Sequence, residues 1–475
     1  MVTGVVLALI QYLLNRSLWN DEAMLALNII GKNSFELLKP LDYNQVAPIL
    51  FLQITKLFSQ VLPAEYGLRL LPLLCYFASL IWFRKLLALL YNDRFVVLFG
   101  MMLFVLNTFL VYFSSEFKQY MCDVLVVILN FYFLIKHHAG LRRKVVVLSI
   151  FGTISIFFSN VAPIILAISG VYLIWSVRND LKSSLKPLLY LFFVWGTVFS
   201  VYFFLFIYNH PVRDYMISFW TKHNAFMPYN IVSREFYSFF EIFFTGISQH
   251  LTPYGTVGFW FLPVLLLMGL FSYIKTKNFG IIIITLLPLM LHLLLSMFRM
   301  YPAIPRLMLY FIPPIIVLVS GGVFWLKKTF FSTLSPKLLN TVSILFFVFS
   351  FYFLVYGSYP QQRHEVRDSI DYIEQNLSEN ESIFITSPAT YPFIYYSTMG
   401  YLSSGIPSTK GFIQNTGAIK KQLSKYKGIW VLTAGSKVSK YIESSEDFKK
   451  QGLIIVNKFE TKGSAAYLIR CTESE

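Results

Sequence analysis

The sequence predicts a polytopic α-helical membrane protein of about eleven transmembrane helices, carrying a small C-terminal α/β domain on the outer face. Two observations predict it. Of 475 residues, 56% are hydrophobic and 13% charged, with a mean hydropathy of +0.60, whereas an ordinary soluble domain is about 25% charged. Apolar runs of membrane-spanning length then recur as far as Gly357, after which the composition becomes that of a soluble domain. The expected division is 1–357 for the membrane part and 358–475 for the soluble part.

The spans read from these runs lie at 1–14, 63–83, 95–113, 121–135, 145–158, 163–177, 187–208, 256–274, 279–298, 307–326 and 339–357. The first is short, since a straight span needs about 20 residues. It carries no basic stretch before it and no small-residue cleavage site. Either its helix continues to Trp19 with Arg16 snorkelling outward, or its start lies upstream.

The net charge of +16 is not a nucleic-acid footprint. Acids and bases nearly balance after Tyr359, so the excess belongs to the membrane part. There, Lys and Arg gather in loops after alternate spans, around Arg84, Lys136 to Lys144, Arg178 to Lys186, Lys275 and Lys327 to Lys337. By the positive-inside rule the amino terminus is expected inside and the carboxyl terminus outside. Cys75, Cys122 and Cys471 form neither a disulfide framework nor a metal motif.

Three outer segments then stand out: Asn15 to Leu62, the turn Tyr112 to Tyr120, and Asn209 to Gly255. The last contains HPVRDYMISFW and the amphipathic stretch REFYSFFEIFF, suited to an interface. His210, His223, His250 and Asp214 lie in it without metal-ligand spacing and read as loop residues. In the soluble part, Arg363–Leu377 has helical periodicity, while SIFITS and GIWVLTA read as buried strands. GLIIVNKF and SAAYLIRC, parted by Glu460–Gly463, read as a hairpin. The domain holds no Gly-rich phosphate loop, nucleophile elbow or zinc spacing.

The chemistry gathers around SLWNDEA. Asp21 and Glu22 stand where a span ends, so they must face water, a cavity or a partner. One reading makes Asn20 a helix cap with both acids in the first turn, favoured by the helix dipole. Capping does not exclude catalysis, because a carboxylate fixed at a helix start is also a positioned base. In SSEFKQY, Glu116, Lys118 and Tyr120 form either a solvated turn or a site for a metal or a phosphate. Arg299 reads as an interfacial anchor. Arg306 begins a span and would need an anionic partner if it points into the bundle.

SLWNDEA, then PLDYNQVAPILF, EYGLRLLPLL and YFSSEFKQYMCDV, in that order, resemble the amino-terminal half of the GT-C membrane glycosyltransferases. The nearest branch is the protein-mannosyltransferase and aminoarabinose-transferase-like group. The resemblance continues more loosely through RMYPAIPRLMLYFIPP to HEVRDSIDYI. It implies sugar transfer from a polyprenyl-phosphate carrier to an acceptor outside the bacterial inner membrane, part of cell-envelope chemistry. It assigns Asp21 as base with Glu22 in support, and Glu116 as a second acidic site for a metal or acceptor. Lys118 and Arg306 would take the carrier phosphate, with Tyr120, Gln45 and Tyr43 lining a donor or acceptor pocket. Partners would be the lipid-linked donor, a lipid, polysaccharide or protein acceptor, and membrane lipids. No cofactor is specified, and a divalent metal ion stays open. Arg306 is followed by Leu307, where relatives often carry an aromatic residue.

The rival from another class is a transporter or flippase of a lipid-linked sugar, but no internal repeat is legible and the unusual charges sit at span ends. A catalytically inactive, glycan-binding relative is a third alternative.

Overall fold

The computed structural model describes residues 1–136, 140–208, 210–251, 255–330, 335–357, 359–403, 405–411, 416–444 and 452–472. The chain forms two compact units. One comprises Met1–Leu13, Ser34–Pro40 and Val46–Pro360; the other comprises Leu14–Asn33, Leu41–Gln45 and Gln361–Glu475. Two stretches of the first outer segment, as the sequence reads it, therefore fold with the C-terminal part of the chain, not with the helices that flank them.

The first unit is helical. Among the described residues, Glu65–Tyr91, Arg178–Tyr208, Phe279–Met297, Pro305–Thr329 and Lys337–Tyr356 are long and apolar enough to cross a membrane. Among the described residues six shorter helices are also apolar, including Val2–Leu13, Ile49–Val61 and Tyr120–Ile135. Closing every backbone hydrogen bond within the segment is what makes helices suitable for this environment.

Local chemistry explains where the elements depart from the periodicity. The first helix stops at Leu13 instead of running to Trp19, because Asn15 takes a left-handed backbone with φ +44°, a conformation no right-handed helix admits. The run at 95–113 is broken into Arg94–Val105 and Thr108–Phe113. Asn107 does this by accepting from the Phe109 and Leu110 N–H groups at 3.1 and 3.0 Å, the local competition that makes Asn a cap. The late span opens with a tight 3₁₀ stretch, Pro305–Phe311, before the α-helix Ile312–Thr329. Ile49–Val61 is a helix inside what the sequence reads as an outer loop, with Phe51, Leu52 and Thr55 buried. In the third segment, HPVRDYMISFW gives the helix Arg213–Lys222 and REFYSFFEIFF opens the helix Arg234–Leu251.

The second unit is built on a five-stranded sheet. Its strands are β1 (Glu381–Thr386), β2 (Ser408–Gly411), β3 (Gly428–Ala434), β4 (Leu453–Thr461) and β5 (Ser464–Cys471). Their order is β2-β1-β3-β5-β4, parallel across β2-β1-β3 and antiparallel across β3-β5-β4. Strands β1 and β3 are buried along their whole length, which is why their centres, Ile383–Ile385 and Ile429–Leu432, read as apolar runs and not as an alternation. Phe384, Ile429, Val431, Tyr467 and Ile469 are in the core. The hairpin expected at the end of the chain is β4–β5, and the expected helix is Val366–Asn376. Strand β2 escapes sequence reading because STKG is a short exposed edge without an apolar alternation.

Helices Gly255–Lys275 and Ile312–Thr329 cross so closely that only glycine fits. A Cβ on Gly269 would lie 2.0 Å from the Leu318 carbonyl oxygen, and one on Gly322 would lie 2.0 Å from that of Leu265. Small residues at such crossings let backbones approach and pack. Gly322→Ala should lower the thermal unfolding midpoint in detergent, at an overpacking cost of about 1–3 kcal/mol. Gly196→Ala, where a Cβ meets nothing within 4 Å, should leave the midpoint unchanged or raise it slightly.

Candidate active site

The acid pair occupies the first turn of the helix Asn20–Gly31, as its sequence position suggests. The cap does not. The capping position falls on Trp19, no side chain caps the helix, and Asn20 is already helical. The two acids have different surroundings. Glu22 is fully buried and ion-paired with the equally buried Arg16, whose Nη1 lies 3.2 Å from Glu22 Oε2. Arg16 therefore turns inward to a carboxylate and does not snorkel. Asp21, one residue away, is partly exposed.

The stretch ahead of this helix is held by the start of the Val366–Asn376 helix and by Tyr396. Ser17 donates to Glu365 Oε2 twice, from its N–H at 2.9 Å and its hydroxyl at 3.1 Å. The Leu18 N–H donates to the Tyr396 hydroxyl at 2.8 Å. Arg367 donates from Nη2 to the Asn15 carbonyl at 2.8 Å. The Arg363 guanidinium sits 3.5 Å from the Trp19 ring centroid, a cation–π contact. Burial pushes the Glu365 carboxyl above the usual range, against the Ser17 hydrogen bonds that pull it down.

Of the pocket residues, Tyr43 and Gln45 come to the same helix. Asn28 brings them, donating to the Asp42 carbonyl at 3.2 Å and accepting from the Asp42 N–H at 2.8 Å. Gln45 reaches Met24 Sδ at 3.3 Å, and the Tyr43 ring meets Tyr391 edge-on with centroids 5.0 Å apart. These two residues share a unit with Asp21 and Glu22, whereas Glu116, Lys118, Tyr120 and Arg306 belong to the helical unit.

The turn SSEFKQY is not solvated. Glu116 is 1% exposed, Lys118 7% and Tyr120 5%. Phe117 anchors the turn by stacking on Phe51 at 5.8 Å, and Tyr120 meets Phe113 edge-on. Arg306, at the start of the 3₁₀ stretch, places its guanidinium 5.6 Å from the Trp220 ring centroid. That stretch packs on the helix Tyr120–Ile135.

Two polar residues inside apolar helices escaped the sequence reading. Asp123 accepts from the Ser159 hydroxyl at 2.6 Å. His292 bonds the Tyr310 hydroxyl through Nδ1 at 2.9 Å and the Pro302 carbonyl through Nε2 at 3.0 Å. Their signal was available, because an ionisable residue within a span marks function or a built partner. His210 and His223 lie in the third segment, and the His250 side chain lies outside the described residues. Cys75 and Cys122 are buried with their sulfurs 3.6 Å apart. Among the described residues, no three His, Cys, Asp or Glu side chains gather where a metal ion could be held.

No family model and no curated relative matches the chain. The chain is similar to the crystal structure of ArnT from Cupriavidus metallidurans bound to undecaprenyl phosphate. The identity is 12%, the likeness covers 98% of this chain and 97% of that one, and the TM-score is 0.49. It is likewise similar to the apo state of that protein, at 12% identity, the same coverage and a TM-score of 0.46.

Two predictions follow from the buried charges. Arg16→Ala removes the guanidinium paired with the buried Glu22, and breaking such a pair costs about 3–5 kcal/mol. Thermal unfolding and limited proteolysis should both report that loss, with Arg16→Lys losing less. The second concerns His364. Burial, then the neighbouring Arg363 charge, lowers its pKa to about 4, against about 6.5 in an unfolded chain. Between these values the unfolded chain binds more protons, so this group's contribution to stability is lost as pH falls from about 6.5 toward 4. Glu365, shifted upward, acts in the opposite sense. His364→Gln should therefore flatten the acid limb of the unfolding midpoint plotted against pH.

Proposed function

We propose that this protein is a glycosyltransferase that moves a sugar from a polyprenyl-phosphate carrier to an acceptor hydroxyl on the extracytoplasmic side of a bacterial inner membrane. The observation that carries the reading is the unequal burial of the acid pair. Glu22 is committed to Arg16, while Asp21 keeps partial exposure in the first turn of a helix. The order of the sequence motifs gives independent support.

An acceptor hydroxyl ionises far above neutral pH, so a carboxylate must take its proton as it attacks the sugar. Asp21 has that role, held in the first turn of the Asn20–Gly31 helix. Glu22 has the supporting role, as a buried carboxylate paired with Arg16. The acceptor oxygen forms the new bond at the anomeric carbon as the bond to the carrier phosphate breaks. This single displacement inverts the centre. Negative charge grows on the departing phosphate, and Lys118 and Arg306 are the cations assigned to it. Glu116 is the second acidic site, with Tyr120, Gln45 and Tyr43 as pocket residues. A lipid-linked donor suits a chain of apolar helices, since its tail stays in the bilayer. In this reading the amino terminus is cytoplasmic, and the soluble unit and acceptor are extracytoplasmic.

One observation favours a second reading. Asp123 and His292, bonded inside apolar helices, are the kind of groups transporters use. One experiment separates the two. Wild type in proteoliposomes, given polyprenyl-phosphate sugars, should release polyprenyl phosphate, and Asp21→Ala and Asp21→Asn should lose about 10²–10⁴-fold in rate. Lys118→Ala should lose activity as well, and Asp123→Asn should keep the transfer chemistry. Full activity in both Asp21 variants would remove Asp21 from the mechanism. Sugar crossing the bilayer without release of polyprenyl phosphate would favour the transporter.

A further inference from the structure

We infer that Glu365 is a positioning residue for the acid pair, and that the sheet of the soluble unit sets the orientation of Asp21 through it. The inference rests on the glycosyltransferase reading for its catalytic consequence, and on geometry alone for the positioning itself.

The connection runs through a short series of contacts, all within one unit. It begins at the β4–β5 turn. Gly463, with φ +73°, approaches so closely that a Cβ there would lie 2.0 Å from the Arg363 carbonyl oxygen. Next to it, the Lys462 carbonyl accepts from the Glu365 N–H at 3.0 Å, and the Thr461 hydroxyl donates to the Glu365 carbonyl at 3.1 Å. The sheet thus fixes the Glu365 backbone from both its N–H and its carbonyl. The side chain, 3% exposed, then takes both Ser17 hydrogen bonds on one oxygen, Oε2. Ser17 lies four residues before Asp21, and between them Leu18 is held by Tyr396 and Trp19 by Arg363.

This matters because the helix Asn20–Gly31 starts without a side-chain cap. Within the first turn Glu22 is paired with Arg16, and an uncapped start frays readily. A second restraint on the entering chain comes from Glu365, a carboxylate that pins the backbone N–H of Ser17. A buried charge-assisted bond to an N–H is about twice as strong as a neutral one. Displacing a catalytic group by about 1 Å can lower a rate about 10²-fold. Glu365 therefore acts on the reaction without touching a substrate.

The test uses the full-length protein in nanodiscs. Glu365→Ala should lower kcat by about tenfold or more while KM changes little, since donor and acceptor contacts stay in place. Glu365→Gln keeps an oxygen where both Ser17 bonds fall and should restore most of kcat. Ser17→Ala should cost less than Glu365→Ala, and the double variant should be no worse than Glu365→Ala, as expected of residues acting as one unit. Hydrogen exchange supplies a readout independent of turnover. In Glu365→Ala the Ser17 and Leu18 amides and the first turn of the Asn20–Gly31 helix should exchange faster, while β1 and β3 stay protected. If Glu365→Ala leaves exchange at Ser17 and Leu18 unchanged, or if exchange rises equally in β1 and β3, the positioning role is overturned. A wild-type protein that transfers no sugar would remove the glycosyltransferase reading, and the exchange pattern would still decide the positioning. Unchanged kcat alongside faster local exchange would overturn the catalytic consequence.

Discussion

The ion pair between Arg16 and Glu22 is the contact on which the local geometry of the acid segment depends. Both partners are almost wholly removed from water, at 1% and 0% exposure. Neither charge could be buried alone, because the desolvation cost of a lone ion far exceeds what local contacts return. Each therefore requires the other at close range. That requirement closes the chain between the end of the first helix and the start of the second, and leaves Asp21 and Glu22 on different sides of the same helical turn. Two adjacent residues of like charge thereby acquire different tasks. One satisfies the interior, and the other keeps some contact with the surroundings.

The sheet of the second unit follows the same logic of compensated burial. Glu381 lies inside at the start of β1, and it is offset by the Trp430 indole N–H and by Arg470, each at 3.0 Å. Strands β1 and β3 carry the apolar core, and the β4–β5 turn is seated against Arg363 and Glu365. Stability and presentation are thus linked in one small unit. Glu365, which holds Ser17, is followed directly by Val366, whose side chain is wholly buried.

Much of this was legible in the sequence, and the remainder was hidden for identifiable reasons. The helices, β1, β3 and the β4–β5 hairpin declare themselves through apolar runs, because burial of a whole strand or helix face needs a continuous pattern. The first turn holding Asp21 and Glu22 was equally readable. The burial of Glu116 and Lys118 was not, since a short polar turn has the same composition whether it is solvated or enclosed. The break at Asn107 and the left-handed Asn15 were open to inference from their residue type, but many asparagines do neither. The role of Glu365 had no local signature at all. Ser17 and Glu365 are separated by 348 positions, and no periodicity spans that distance.

The same separation has a consequence for biosynthesis. Chains emerge from the ribosome at about 5–20 residues per second, so the partner of Ser17 is made on the order of tens of seconds after Ser17 itself. During that interval the helices between them are synthesised, while Leu14–Asn33 waits without the unit that completes it. The Ser17–Glu22 stretch, among the first to be translated, is therefore among the last to acquire its final shape. A nascent or truncated chain lacking the final hairpin would lack the Lys462 and Thr461 contacts that hold the Glu365 backbone, and with them the restraint on Ser17.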